Sequence, residues 1–106
     1  MSDARDSVLA YAPHADPAII EKMAATYRLV LSKRDSALVS AGDPAEVATV
    51  RDNFLKKKLG LTLPDAELDT AIHDVLAHMK DGKPNPRLAV YYLLAEKFGR
   101  LDVFTG

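Results

Sequence analysis

Apolar positions recur along this chain at intervals of three and four, and prolines and glycines cut them into segments of helical length. Ile20, Met23, Ala24, Tyr27 and Leu31 follow Asp16-Pro17 and precede Lys33-Arg34. The aspartate offers a side-chain oxygen to the free amides of a first turn, and the proline at the next position sacrifices no hydrogen bond. Val47, Val50, Phe54 and Leu55 follow Asp43-Pro44 in the same way. Glu46 stands three residues after Asp43, the spacing of a capping box, and Gly60 is the expected left-handed stop. Leu68, Ile72, Val75, Leu76 and Met79 fall within one stripe of about 100° on a helix predicted from about Pro64 to Lys80. Gly82 follows it. The last long helix is predicted after Asn85, with Pro86 at its first position and Gly99 as its stop. There Leu88, Val90, Tyr91, Tyr92, Leu93, Leu94 and Phe98 spread around the whole circumference, interrupted by Arg87, Glu96 and Lys97. A helix apolar on most sides is enclosed by its neighbours, so this one is expected at the centre.

A shorter helix over residues 3–12, capped by Ser2 and ended by Pro13, places Val8, Leu9 and Ala12 on one side. Residues 35–42 read as an irregular connector that tucks Leu38 or Val39 against the core. No segment alternates as a strand does, and no repeat is present. The expectation is an all-α fold, a small helical bundle of four to five helices, with residues 1–106 forming a single domain. The tail supplies Leu101, Val103 and Phe104, apolar area for the body or for a partner.

Charge changes the picture mainly by what it excludes. The net charge is −1, without the basic excess that nucleic acid or an anionic membrane demands. Most ionic residues belong to helix ends. Asp16, Asp43, Glu46, Asp65, Glu67 and Asp69 lie at helix starts, and Lys33, Arg34, Lys56, Lys57, Lys58, Lys80, Lys97 and Arg100 at helix ends. The helix dipole favours each such placement by about 0.3–1 kcal/mol. Lys56-Lys57-Lys58 is the one basic run. With up-down-up packing it falls at the same end as Lys97 and Arg100, a basic patch suited to phosphate or an acidic partner. DNA reading by the helix after Gly60 is disfavoured, because residues 64–81 hold five acids and one lysine. No apolar run approaches about 20 residues, and the polar start lacks the features of a secretory signal, so a cytoplasmic protein that does not span a membrane is expected.

Chemistry finds few footholds. The chain has no cysteine, which excludes disulfides and thiolate sites. His73 and His78 point about 140° apart on one helix and cannot share a metal. Asp69 with His73, and Asp74 with His78, form i,i+4 pairs that suit either ion pairing or a metal. His14 has no partner near it in sequence. No Gly-rich phosphate loop, HExxH, GxSxG or EF-hand motif occurs, so no catalytic residue, cofactor or metal site is assigned.

Asp43-Pro44-Ala45-Glu46, the run from Asn53 to Leu61, Leu68-Asp69, Ile72, the run from Ala89 to Ala95, and Phe98 together resemble a family of short, uncharacterised bacterial proteins of unknown function. The resemblance covers about residues 43–104 and implies a small, mostly helical cytoplasmic protein. It implies no activity, substrate or catalytic residue. The functional expectation is a non-enzymatic module for protein contacts or self-association. The alternatives are phosphate or nucleic-acid binding through Lys56, Lys57, Lys58, Lys97 and Arg100, and a small enzyme or metal binder built on Asp69, His73 and Asp74.

Overall fold

Aspartate followed by proline starts the first two long helices as the spacing predicts. The structure is a computed structural model that describes residues 8–28, 38–39, 43–79 and 85–104. Helix α1 runs Pro17–Thr26, with Asp16 Oδ1 accepting the Ala18 amide at 2.9 Å. Helix α2 runs Pro44–Thr49, with Asp43 Oδ1 accepting the Ala45 amide at 2.9 Å. Before α1, residues 8–11 are helical and bury Val8 and Ala12. The predicted residues 3–7 of that first helix lie outside the described residues, as do Ser2, Leu31, Lys33, Arg34, Lys80 and Gly82.

Beyond Thr49 the helix does not continue as the ordinary α-helix predicted. Val50–Lys56 is a π-helix. Val50, Phe54, Leu55 and Leu59 must all reach the core, and all are buried. On a 3.6-residue helix Leu55 and Leu59 would point about 140° and 180° away from Val50. A helix whose bonds reach five residues back brings intervals of four and five onto one side. The Leu59 amide accordingly donates to the Phe54 carbonyl at 2.9 Å. Gly60 ends the segment at φ +68, a conformation open to glycine without strain.

Helix α3 spans Asp65–His78, and the predicted stripe of Leu68, Ile72, Val75, Leu76 and Met79 is buried, together with Ala71. Helix α4 spans Arg87–Lys97. Its start corrects the sequence reading: Asn85-Pro86 is not a cap followed by a first helical residue. Asn85–Pro86 forms a two-residue strand, β2, paired antiparallel with β1, Leu38–Val39. Val39, in the connector expected to be irregular, is buried by this pairing. The end of α4 is a Schellman motif. Arg100 N–H donates to the Ala95 carbonyl at 2.8 Å and Gly99 N–H to that of Glu96 at 3.1 Å, with Gly99 at φ +67.

Helix α4 is the hub of an all-α bundle. It packs against α1, α3, the π-helix, both strands and the terminal 3-10 turn Leu101–Phe104. Arg87, Leu88, Ala89, Val90, Tyr91, Tyr92, Leu94 and Ala95 are all buried on it. The turn folds back and buries Phe104, while Leu101 and Val103 pack beside it. The chain thus covers its own central helix, and its Cα radius of gyration is 12.5 Å. Among the described residues Leu63 is the one large apolar side chain left exposed, and no helix is long and apolar enough to cross a membrane.

Candidate functional site

Most of the polar chemistry near the core serves the fold. Arg87 is only 5% exposed at the first position of α4. Its Nη1 donates to Tyr91 Oη at 3.1 Å, one turn along, and its Nη2 to Glu46 Oε1 at 2.9 Å. Glu46 is thereby drawn to another helix, and the Asp43 carboxylate accepts the amide of Ala45 rather than that of Glu46, so Asp43 caps α2 without the reciprocal capping box. Tyr91 stacks on Phe54 at 4.0 Å and 8°. Tyr27 meets Tyr91 edge-on at 5.0 Å and Phe54 at 6.1 Å. The tyrosines are therefore core rather than the lining of a ligand pocket.

Burial, then the neighbouring Tyr91, pushes the Tyr27 hydroxyl above its ordinary value of 10.0. A folded-state pKa raised above the unfolded one contributes stability that is complete below pH 10 and is lost as pH rises through the folded value. The melting temperature of the native chain should therefore fall steeply in alkali. Tyr27→Phe should flatten that fall, leaving the smaller contributions of Tyr92, whose hydroxyl is also raised by burial, and of Lys56, whose ammonium is raised by its bond to Asp65. Melting curves followed from about pH 9 to 12 test this, and a variant with an unchanged alkaline slope would refute it.

A second network ties the π-helix to α3. Arg51 Nε donates to Asp52 Oδ1 at 2.9 Å, and Nη1 lies 3.2 Å from both oxygens of Asp69. Lys56 Nζ is 2.6 Å from Asp65 Oδ1 and 3.6 Å from Asp52 Oδ1. The hydrogen bond from Arg51 holds the Asp52 carboxyl below its usual range, and the bond to Asp65 raises the Lys56 ammonium. Asp69 is thus engaged by Arg51, and His73 stands exposed. Among the described residues no three His, Asp or Glu side chains are grouped so as to hold a metal ion.

The cations named from sequence are distributed as follows. Lys56 binds Asp65 at the start of α3, whereas Lys97 faces Asp74 at 4.0 Å. Asp65 and Asp74 are nine residues apart, about 13 Å along the helix. The ammonium of Lys58 lies over the Phe104 ring, 5.2 Å from its centre, beside the segment that follows Arg100. Lys57 and Arg100 are exposed and make no ion pair among the described residues.

One cavity gathers charge over an apolar floor. The C-terminal halves of α3 and α4 meet at Val75 and Leu93, which with Asp74, His78, Glu96 and Lys97 line a groove of about 290 Å³. Helical spacing explains the lining: Asp74 and His78 are i,i+4 on α3, and Leu93 with Glu96 and Lys97 share one side of α4. His14, from the connector before α1, adds its imidazole: Nε2 is 2.5 Å from Glu96 Oε2. The next link is looser, with Asp16 N–H 3.4 Å from Tyr92 Oη. The His14 partner lies 82 positions away, and no sequence signal pointed to it. Two carboxylates, two imidazoles and an ammonium over two aliphatic side chains can hold a ligand by burial and charge. No match to the chain is found among curated proteins. Residues 3–102 match a family model described as "protein of unknown function", DUF2853, which extends the likeness seen in residues 43–104 over most of the sequence, and the chain belongs to that family.

Proposed function

We propose that the chain is a non-enzymatic helical module that acts through protein contacts, with the groove between α3 and α4 as its docking surface. The observation that supports this is the contrast between that groove and the other polar clusters. Arg51 reaches Asp69 on α3 and Arg87 reaches Glu46 on α2, so those clusters lock helices together. The groove instead leaves exposed charge beside the aliphatic side chains of Val75 and Leu93, the mixture of apolar centre and polar rim that protein interfaces use. Self-association is one form of this reading, but burial does not require it, since α4 is covered within one chain.

A photoreactive amino acid at position 93, expressed in the native host, tests the proposal. Irradiation should give a discrete adduct that the same group at the exposed Ala25 of α1 does not. An adduct of twice the chain mass identifies a second copy. No adduct at position 93, or equal adducts from both positions, would overturn the reading.

A second reading is phosphate binding at the end carrying Lys57, Lys58 and Arg100. It is favoured by the contact of Lys58 with Phe104, which sets that lysine beside the segment following Arg100. Labelled single- and double-stranded oligonucleotides at low salt decide it: binding that weakens steeply as salt rises supports it, and no binding removes it.

A further inference from the structure

The geometry points to the side chain that the groove receives: an arginine from a basic segment of a partner protein. This rests on the groove being a docking surface and specifies its occupant. The floor is aliphatic, formed by the buried Val75 and the half-buried Leu93. Two carboxylates stand on the rim with acceptor capacity to spare. Glu96 Oε2 is taken by His14, and Oε1 has no partner among the described residues. Asp74 Oδ2 faces Lys97 at 4.0 Å, the outer limit of an ion pair, between side chains 61% and 45% exposed. Such a pair contributes little and gives way to a better donor.

Beyond the groove α3 carries one more acid on this side. Glu67 lies two turns before Asp74 on the same side of α3, is exposed, and has no ion-pair partner among the described residues. In the groove itself an acidic ligand would meet two carboxylates, Asp74 and Glu96, against the single ammonium of Lys97. A basic one is attracted, and arginine fits better than lysine. Its methylenes cover the aliphatic floor while its planar head presents five N–H donors, enough to serve both carboxylates at once. The lysine ammonium is a compact, strongly hydrated point charge.

The test uses the full chain, isotopically labelled, and three capped tripeptides, Leu-Arg-Leu, Leu-Lys-Leu and Leu-Glu-Leu, followed by amide NMR shifts. Leu-Arg-Leu should produce saturable shifts centred on Val75, His78, Leu93 and Lys97, with a roughly millimolar Kd. Leu-Lys-Leu should bind more weakly and Leu-Glu-Leu should give no saturable shift. Asp74→Asn and Glu96→Gln should each weaken the arginine peptide by about two- to fivefold, the scale of an exposed ion pair. Asp74 is exposed and Glu96 half-buried, and neither substitution changes the volume of a core side chain, so the melting transition should stay in place. Shifts that do not saturate, or an equal response to Leu-Glu-Leu, would overturn the assignment. If position 93 crosslinks a protein in the cell while the arginine peptide fails, the arginine assignment falls and the docking surface stands. If both fail, the docking surface falls with it.

Discussion

Ile72→Asp is expected to abolish cooperative melting. Ile72 is fully buried at the middle of α3, between Leu68 one turn before and Val75, Leu76 and Met79 after it. Its burial contributes roughly 1.5–3 kcal/mol, which the substitution forfeits. The new carboxylate must in addition leave water for an apolar core, at a cost of several kcal/mol. Together these approach the 5–15 kcal/mol, in order of magnitude, that holds a domain of this size folded. Thr70→Asp is the control. Thr70 lies on the same helix but is exposed, its hydroxyl donating to the Ala66 carbonyl at 2.8 Å. The same charge there should change stability by about 0.5 kcal/mol or less. Circular dichroism on heating checks both. An Ile72→Asp chain that melts like the native protein would show that the α3 stripe is not core.

Phe54→Ala should cost about 3–5 kcal/mol, the range for emptying a large aromatic site in a well-packed core. Phe54 is fully buried and stacks face to face on Tyr91 at 4.0 Å. It also packs near the Tyr27 and Phe104 rings, at 6.1 and 6.4 Å. Its removal takes the common neighbour from three aromatic side chains on three separate elements. Phe54→Leu keeps much of the volume and should lose less. Urea unfolding gives the free energies, and near-ultraviolet circular dichroism reports the tyrosine environment. A loss below about 1 kcal/mol for the alanine variant would mean that the aromatic cluster collapses into the void, contrary to the packing described.

These expectations rest on features that differ in how far the sequence revealed them. The α3 stripe was legible because Leu68, Ile72, Val75 and Leu76 keep a helical period over more than two turns, and the structure buries all of them. Gly60 and Gly99 were legible as stops because each sits where a helix must reverse into positive φ. The π-helix was not legible. Val50, Phe54 and Leu55 fit the side of an ordinary helix loosely, and the requirement that Leu55 and Leu59 face inward with Val50 comes from the elements around them. Asn85-Pro86 misled for a related reason. Its local chemistry suits a helix start, but pairing with Leu38–Val39 claims the backbone first.

The candidate site shows the same division. Asp74 and His78 were visible as an i,i+4 pair, and local spacing carried no information on what faces them. Glu96 and Lys97 reach the groove from elsewhere in the chain, and His14 reaches Glu96, across distances that no periodicity spans. Among the cations, Lys56 and Lys97 read from sequence as neighbours at one end, whereas each faces its own acid at a different height along α3.

The sequence by itself determined the helical elements of the described chain, most of their ends, and the faces they bury, because capping and periodic burial act over one or two turns. Tertiary structure alone decided the π-helical register, the strand pair before α4, the recruitment of Glu46 by the buried Arg87, and the groove. Each of these depends on which distant groups arrive together once α4 is enclosed. A carboxylate or guanidinium near the core accepts whichever partner the packing supplies, and short-range sequence chemistry does not name it.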